Sequence, residues 1–143
     1  MNKNRDSILR IMDANFNRSR EGLRVCEEIT RFVLDSKPLT VALKSVRHGV
    51  TGIKKVTCSA SSSLMDSRDV EGDVGRTSRL KSEKTRKGIP DIFSANIERV
   101  KESLRVLEEF SKLIDVKQTA RLAKLRFRVY AIEKNVIKKL ELF

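Results

Sequence analysis

The chain carries an imperfect copy of itself. Residues 14–33 (ANFNRSREGLRVCEEITRFV) recur at 95–114 (ANIERVKESLRVLEEFSKLI) at a constant offset of 81, with 9 of 20 positions identical. A second register, at an offset of 79, sets Leu43, Val46, Arg47, Val50, Ile53 and Lys55 on Leu122, Leu125, Arg126, Val129, Ile132 and Lys134. A chain built twice from one unit buries the apolar face of each copy against the other. Apolar matches follow from that packing alone. Matched polar residues point instead to a site between the halves.

The repeated unit reads as helical. Asp6 or Ser7 can cap a first helix, in which Ile8, Leu9, Ile11, Met12, Phe16, Leu23, Cys26, Ile29 and Val33 recur at three- and four-residue steps to about Leu34. The stretch DSKP (35–38) breaks it, and Ser36 caps a second helix that tolerates Pro38 in its first turn and reaches about Val56. Gly49 and Gly52 weaken that helix by roughly 1 kcal/mol each relative to Ala. Pro90 and Asp91 open a third helix to about Ile114, and Asp115 ends it or caps a fourth from about Lys117 to Leu140. The expected fold is all-α: one domain, a four-helix bundle of two pseudo-twofold-related αα-hairpins, 1–56 and 90–143, with no substantial sheet. A long central loop, 57–89, joins them. It is rich in Ser and Gly and carries the basic residues Arg76, Arg79, Lys81, Lys84, Arg86 and Lys87. A connection of that length in a small domain is usually functional or disordered.

Composition narrows the partners without choosing one. The net charge of +12 implies anions, whether nucleic acid, nucleotides or phosphorylated metabolites. No apolar run is long enough for a membrane span, and the N-terminus lacks the apolar core of a signal peptide. Cys26 and Cys58 lack metal-ligand spacing and read as reduced thiols in a cytoplasm. No HExxH, paired CxxC, GxSxG or GxGxxG occurs, which removes the metalloprotease, zinc-finger, serine-hydrolase and Rossmann readings.

Several polar residues stand out. Asn15 and Arg18 recur as Asn96 and Arg99, one helical turn apart, so a single face presents an amide and a guanidinium. Glu21 and Glu102 lie three residues further on and are candidates for the same site. The acids of LRVCEE (23–28) and LRVLEE (104–109) are read instead as solvent-side partners of Arg24 and Arg105. Arg47 and Arg126 match across the halves, whereas His48 faces Phe127; the single His is a candidate proton carrier or phosphate ligand. The segment SRDVEGDVG (67–75) has no repeat counterpart. Arg68 can hold an anion there, Asp69, Glu71 and Asp73 can hold Mg²⁺ or take a proton, and Gly72 and Gly75 let backbone N–H groups approach phosphate.

Taken in order, RIMDANFNRSREGLRVCEEITRF (10–32), LKSVRHGV (43–50), SRDVEGDVG (67–75), DIFSANIERVKESLRVLEEF (91–110) and LRFRVYAIEK (125–134) resemble the small helical hydroxymethylpyrimidine-phosphate kinase family of thiamine biosynthesis. That domain occurs alone or fused N-terminal to thiamine-phosphate synthase. The resemblance implies transfer of the ATP γ-phosphoryl to 4-amino-5-hydroxymethyl-2-methylpyrimidine phosphate, with Mg²⁺. No barrel follows Phe143, so the synthase activity itself is not expected of this chain. Given that activity, the chemistry of phosphoryl transfer assigns a charge clamp to Arg18, Arg47, Arg99 and Arg126. Asn15 and Asn96 would meet the aminopyrimidine edge or fix the clamp, and Asp69 and Asp73 would place the metal. The backbone at Gly72 and Gly75, with Arg68, would lie near the nucleotide, His48 would donate to phosphate, and Tyr130 would stack on a ring or pack.

The expected partners are therefore a phosphorylated pyrimidine and a nucleotide. A homodimer and functional coupling to thiamine-phosphate synthase are both compatible with the sequence. The rival reading is a basic helical nucleic-acid-binding module, and it lacks an aromatic-interleaved platform. A third reading is a domain that keeps this fold without catalysis.

Overall fold

The computed structural model describes residues 3–60, 64–77 and 84–142; Arg79, Lys81 and the Cys58 side chain, considered above, lie outside the described part. Four long helices account for most of it: α1 (Lys3–Glu28), α2 (Lys37–Ala60), α3 (Ile89–Ser111) and α4 (Val116–Leu142). Among the described residues there is no strand, and no helix is long and apolar enough to cross a membrane.

Each helix buries the stripe its sequence spells out. Leu9, Met12, Phe16, Leu23 and Cys26 of α1 meet Phe93, Ile97, Val100, Leu104 and Leu107 of α3, with Leu43, Val46, Val50 and Ile53 of α2 and Leu122, Leu125, Val129 and Val136 of α4 completing one core. α1 packs on α2 and α3, and α4 packs on the same two helices. Cross-helix contacts fix the directions. Glu27 meets Arg47, Cys26 approaches Phe93, Glu108 meets Arg126, and Arg128 meets Ser45, so every neighbouring pair runs antiparallel. The α1–α3 side of the bundle therefore lies opposite the α2–α4 side.

The helix ends follow local chemistry. α1 does not stop at Glu28 but widens into a π-helical turn, Ile29–Val33, closed by Leu34 N–H on the Ile29 carbonyl at 3.0 Å. Asp35 then adopts a left-handed φ of 49°, which Asp tolerates better than most residues. Asp91 accepts from the Lys87 amide at the start of α3, and Asp115 accepts from the Lys117 amide at the start of α4. α2 extends to Ala60, four residues beyond the expected end.

Two glycines mark close approaches. A Cβ on Gly22 would lie 2.8 Å from a Val100 methyl and 3.0 Å from the Asn96 carbonyl oxygen, so α1 rests almost on the α3 backbone. At Gly49 a Cβ would lie 2.9 Å from a Leu125 methyl, which accounts for a helix-weakening residue inside α2.

The two halves repeat their polar contacts as well as their apolar ones. Glu27–Arg47 recurs as Glu108–Arg126, and the Thr30–Thr40 hydroxyl pair (2.9 Å) recurs as Ser111–Thr119 (2.6 Å). Asn15 donating to the Ile11 carbonyl recurs as Asn96 donating to the Ile92 carbonyl, both at 2.8 Å.

Candidate functional site

On the α1–α3 side an open cavity of about 1160 Å³ lies between the two helices and the connection. From α1 it receives Arg18, Glu21 and Gly22; from α3 it receives Asn96, Arg99 and Glu102. Arg18 and Arg99, and Glu21 and Glu102, are matched positions of the repeat, brought to one cavity by the tight crossing at Gly22. The connection closes one end with Asp73, Gly75 and Arg76 on its first arm and Arg86 and Lys87 on its second. Asp91 and Glu98 complete the charged wall, so five basic side chains face five acidic ones. Such a wall suits a phosphorylated ligand carrying a metal ion or an amino group better than a bare polyanion.

The two asparagines part company here: Asn96 borders the cavity, whereas Asn15 does not. Each spends its Nδ2 on the carbonyl four residues back in its own helix. Asn15 is buried outside the cavity wall, and its Oδ1 accepts a 3.4 Å hydrogen bond from the Arg18 guanidinium. It orients Arg18 along the helix.

The connection is tied down by two residues of different kinds. Leu64 enters the core at 1% exposure. Arg68 lays its fork on Asp13, with Nε on Oδ2 at 2.7 Å and Nη2 on Oδ1 at 2.8 Å. The hydrogen bond to Asp13 and its charge raise the Arg68 pKa further. The anion Arg68 holds is thus part of the protein, a correction to its expected place beside a nucleotide. Asp69 and Asp73 each spend one oxygen on the turn they start, Asp69 on the Gly72 amide (2.8 Å) and Asp73 on the Gly75 amide (2.9 Å). A Cβ on Gly72 would sit 2.2 Å from an Asp69 oxygen, so a side chain there would push the Asp69 carboxylate aside. Of the two Asp, Asp73 borders the cavity and Asp69 does not; Gly75 borders it and Gly72 does not. Among the described residues no three His, Cys, Asp or Glu side chains group closely enough to hold a metal by themselves.

Four further residues expected in the site lie elsewhere. Arg47 and Arg126 grip Glu27 and Glu108 bidentately, with Nε–Oε distances of 2.5 Å in both pairs. Those hydrogen bonds, the largest influence on each guanidinium, raise its pKa against the opposing effect of burial. Glu27 and Glu108 are each 5% exposed at the side chain, so they are buried anchors between helices and not the solvent-side acids anticipated. The reason is geometric: at positions 27 and 108 the carboxylates point along the hairpin seam, toward α2 and α4. His48 is exposed on α2 and does not border the cavity. Tyr130 lies on α4, with its ring 5.0 Å from the Lys101 ammonium and 6.5 Å from the Phe127 ring.

Asp13, which holds the connection, and Arg76, Arg86, Lys87 and Asp91, which border the cavity, lie outside the expected site set, although the three basic residues belong to the basic stretch of the loop. A cue existed for Asp13: it faces Ser94 in the repeat, so an acid without a counterpart awaited a base without one, and Arg68 is in the unrepeated loop.

Comparison with known proteins identifies the family. The ThiD2 family model matches residues 10–135. Curated relatives named thiamine-phosphate synthase include proteins of Synechocystis sp. (39% identical, covering 92% of this chain and 36% of the relative), Nostoc sp. PCC 7120 (38%, 91% and 35%) and Rhodopirellula baltica (38%, 87% and 33%). The chain thus spans about a third of the length of the curated relatives it matches. No solved structure matches it. With a match running from the first half of the repeat through to the second, the chain belongs to the ThiD2 family, the helical thiamine-biosynthesis family that its ordered motifs resemble.

Proposed function

We propose that this chain is a cytoplasmic kinase that transfers the γ-phosphoryl of ATP to 4-amino-5-hydroxymethyl-2-methylpyrimidine phosphate, giving the diphosphate and ADP. The observation that carries the proposal is the meeting of Arg18 and Arg99, from two different helices, around one cavity capped by the 73–76 turn and by Arg86 and Lys87. Family membership and relatives named for thiamine-phosphate synthesis support the same pathway.

The chemistry explains why no general base is needed in the cavity. The attacking atom is a phosphate oxygen, and a phosphate monoester with a second pKa near 6 is largely dianionic at neutral pH. Two anions must instead be held in line while charge spreads over the transferring group. Arg18 and Arg99 neutralise that charge from opposite walls, and Arg86 and Lys87 hold the nucleotide end. Mg²⁺ bound with the nucleotide phosphates would add further neutralisation; it takes one or two carboxylates besides substrate oxygens, and Asp73 is the carboxylate of the turn that borders the cavity. Glu21 and Glu102 are placed to accept from the exocyclic amine of the pyrimidine.

The test is a coupled assay with ATP, Mg²⁺ and the pyrimidine monophosphate, using the unphosphorylated alcohol as control. Diphosphate should form from the monophosphate alone. Arg18→Met and Arg99→Met should each lower kcat/KM by about 10²–10³-fold, the range for removing a preorganised charge contact. Absence of turnover, with no heat from either ligand in a calorimetric titration, would establish the non-catalytic reading in its place.

A further inference from the structure

The repeat sets up a comparison that the cavity does not use. An offset of 81 places Asn17 on Glu98 and Arg20 on Lys101; an offset of 79 places Lys54 on Glu133. In the second half these positions form a closed triad at the α3–α4 seam. Lys101 is held by Glu98 and, at 2.8 Å, by Glu133. Burial works against the Lys101 charge, but its two carboxylate partners outweigh that and raise its pKa.

The first half builds the same joint at the α1–α2 seam with the acids missing. Lys54 Nζ donates to Asn17 Oδ1 at 3.5 Å. Arg20 has its Nε buried, with no hydrogen-bond partner among the described residues. The two inward carboxylates on the same helix cannot serve it. Both oxygens of Asp13 are engaged by Arg68, and both oxygens of Glu27 by Arg47. Two cations and an amide therefore occupy the place where the second half has one cation and two anions. A buried donor on a cation is expensive to leave unmatched, and Arg20, one turn from Asn17 on α1, adds to the Lys54 ammonium a planar guanidinium of the kind that matches phosphate geometry.

We propose that Asn17, Arg20 and Lys54 form a second oxyanion site, on the α1–α2 seam and separate from the cavity, which takes phosphate or the phosphate group of a monoester. The site does not depend on the kinase reading. Arg20 and Lys54 pair with the anion, and the Asn17 amide turns its Nδ2 toward it when Lys54 is so engaged.

The experiment measures thermal unfolding in inorganic phosphate, and separately in glycerol 2-phosphate, against chloride at equal ionic strength. An Arg18→Met/Arg99→Met background removes the two facing guanidiniums of the cavity, and the seam variants are compared within that background. At tenfold excess over Kd the folded state gains about elevenfold over the unfolded, a rise of about 4 °C in Tm for a chain of this size. A gain with phosphate identifies the free ion as a ligand, and a gain with the ester alone identifies the monoester. Asn17→Glu/Lys54→Glu, which installs the acids of the second half, should abolish the gain while raising the Tm in chloride. Arg20→Gln should abolish it without that rise. If both variants keep the full anion-dependent gain, or the background shows none with either anion, the site does not exist.

Discussion

Arg18 and Arg47 look alike in the sequence, since each is a basic residue repeated in the other half, and the structure gives them opposite employment. Arg47 is bound at both ends of its fork to a carboxylate with 5% exposure; Arg18 is exposed and, among the described residues, hydrogen-bonds Asn15. Breaking a buried ion pair leaves its partner charged and unmatched, at about 3–5 kcal/mol, whereas an exposed side chain changes stability by about 0.5 kcal/mol or less. Arg47→Met should therefore lower Tm by several degrees with KM for either substrate nearly unchanged once the protein is folded. Arg18→Met should leave Tm within a degree or two and remove turnover. Denaturant unfolding alongside steady-state kinetics reads both, and an inverted result would move the clamp to the hairpin seam. The repeat contained the distinction. Glu27 and Glu108 recur on the helices that pair with those carrying Arg47 and Arg126, so the duplicated acid and the duplicated base belong together. Reading each motif along its own helix, as an i,i+3 or i,i+4 pattern, hid a partner that sits on the neighbouring helix.

At the level of elements, the helices were legible because their apolar steps carry the period; their ends were less so, since α1 begins at Lys3, ahead of the Asp6 or Ser7 cap expected for it. The central connection was not, because its placement depends on single contacts with distant residues. Leu64 in the core and Arg68 on Asp13 convert a stretch rich in turn residues into an arm whose next residues, Asp73, Gly75 and Arg76, border the cavity. No periodicity announces such a tether. If the arm acts as a unit, Arg68→Ala should release it: KM for ATP should rise about tenfold, with a smaller change for the pyrimidine, and Tm should also fall, because Asp13, 5% exposed at its side chain, loses its partner. Asp13→Asn should accordingly reproduce the KM effect. Equal KM values in Arg68→Ala and the parent would show that the arm is held by Leu64 alone.

Across the whole molecule, charge and site are segregated. α2 and α4 carry thirteen Lys and Arg against two acids, so eleven of the twelve net positive charges belong to the two helices opposite the cavity. The rest of the chain, cavity included, is nearly neutral. This polarity explains why a net charge of +12 was a poor guide to the ligand: the long-range field arises on one side and the balanced, enclosed geometry on the other. It also separates the nucleic-acid reading from the kinase reading by location. Polyanions should adsorb to the α2–α4 side through phosphate contacts whose affinity falls steeply with salt, while the small phosphorylated substrates enter from the α1–α3 side. Reversing three exposed lysines, Lys44→Glu, Lys124→Glu and Lys134→Glu, halves the net charge and should elute the protein from immobilised DNA at markedly lower salt. Its kcat/KM for the pyrimidine monophosphate should stay within about twofold, since charges beyond a Debye length of about 8 Å are screened at physiological ionic strength. Loss of turnover together with DNA retention would mean that one surface serves both. Unchanged retention would place the polyanion contact on the connection, where Arg76, Arg86 and Lys87 remain.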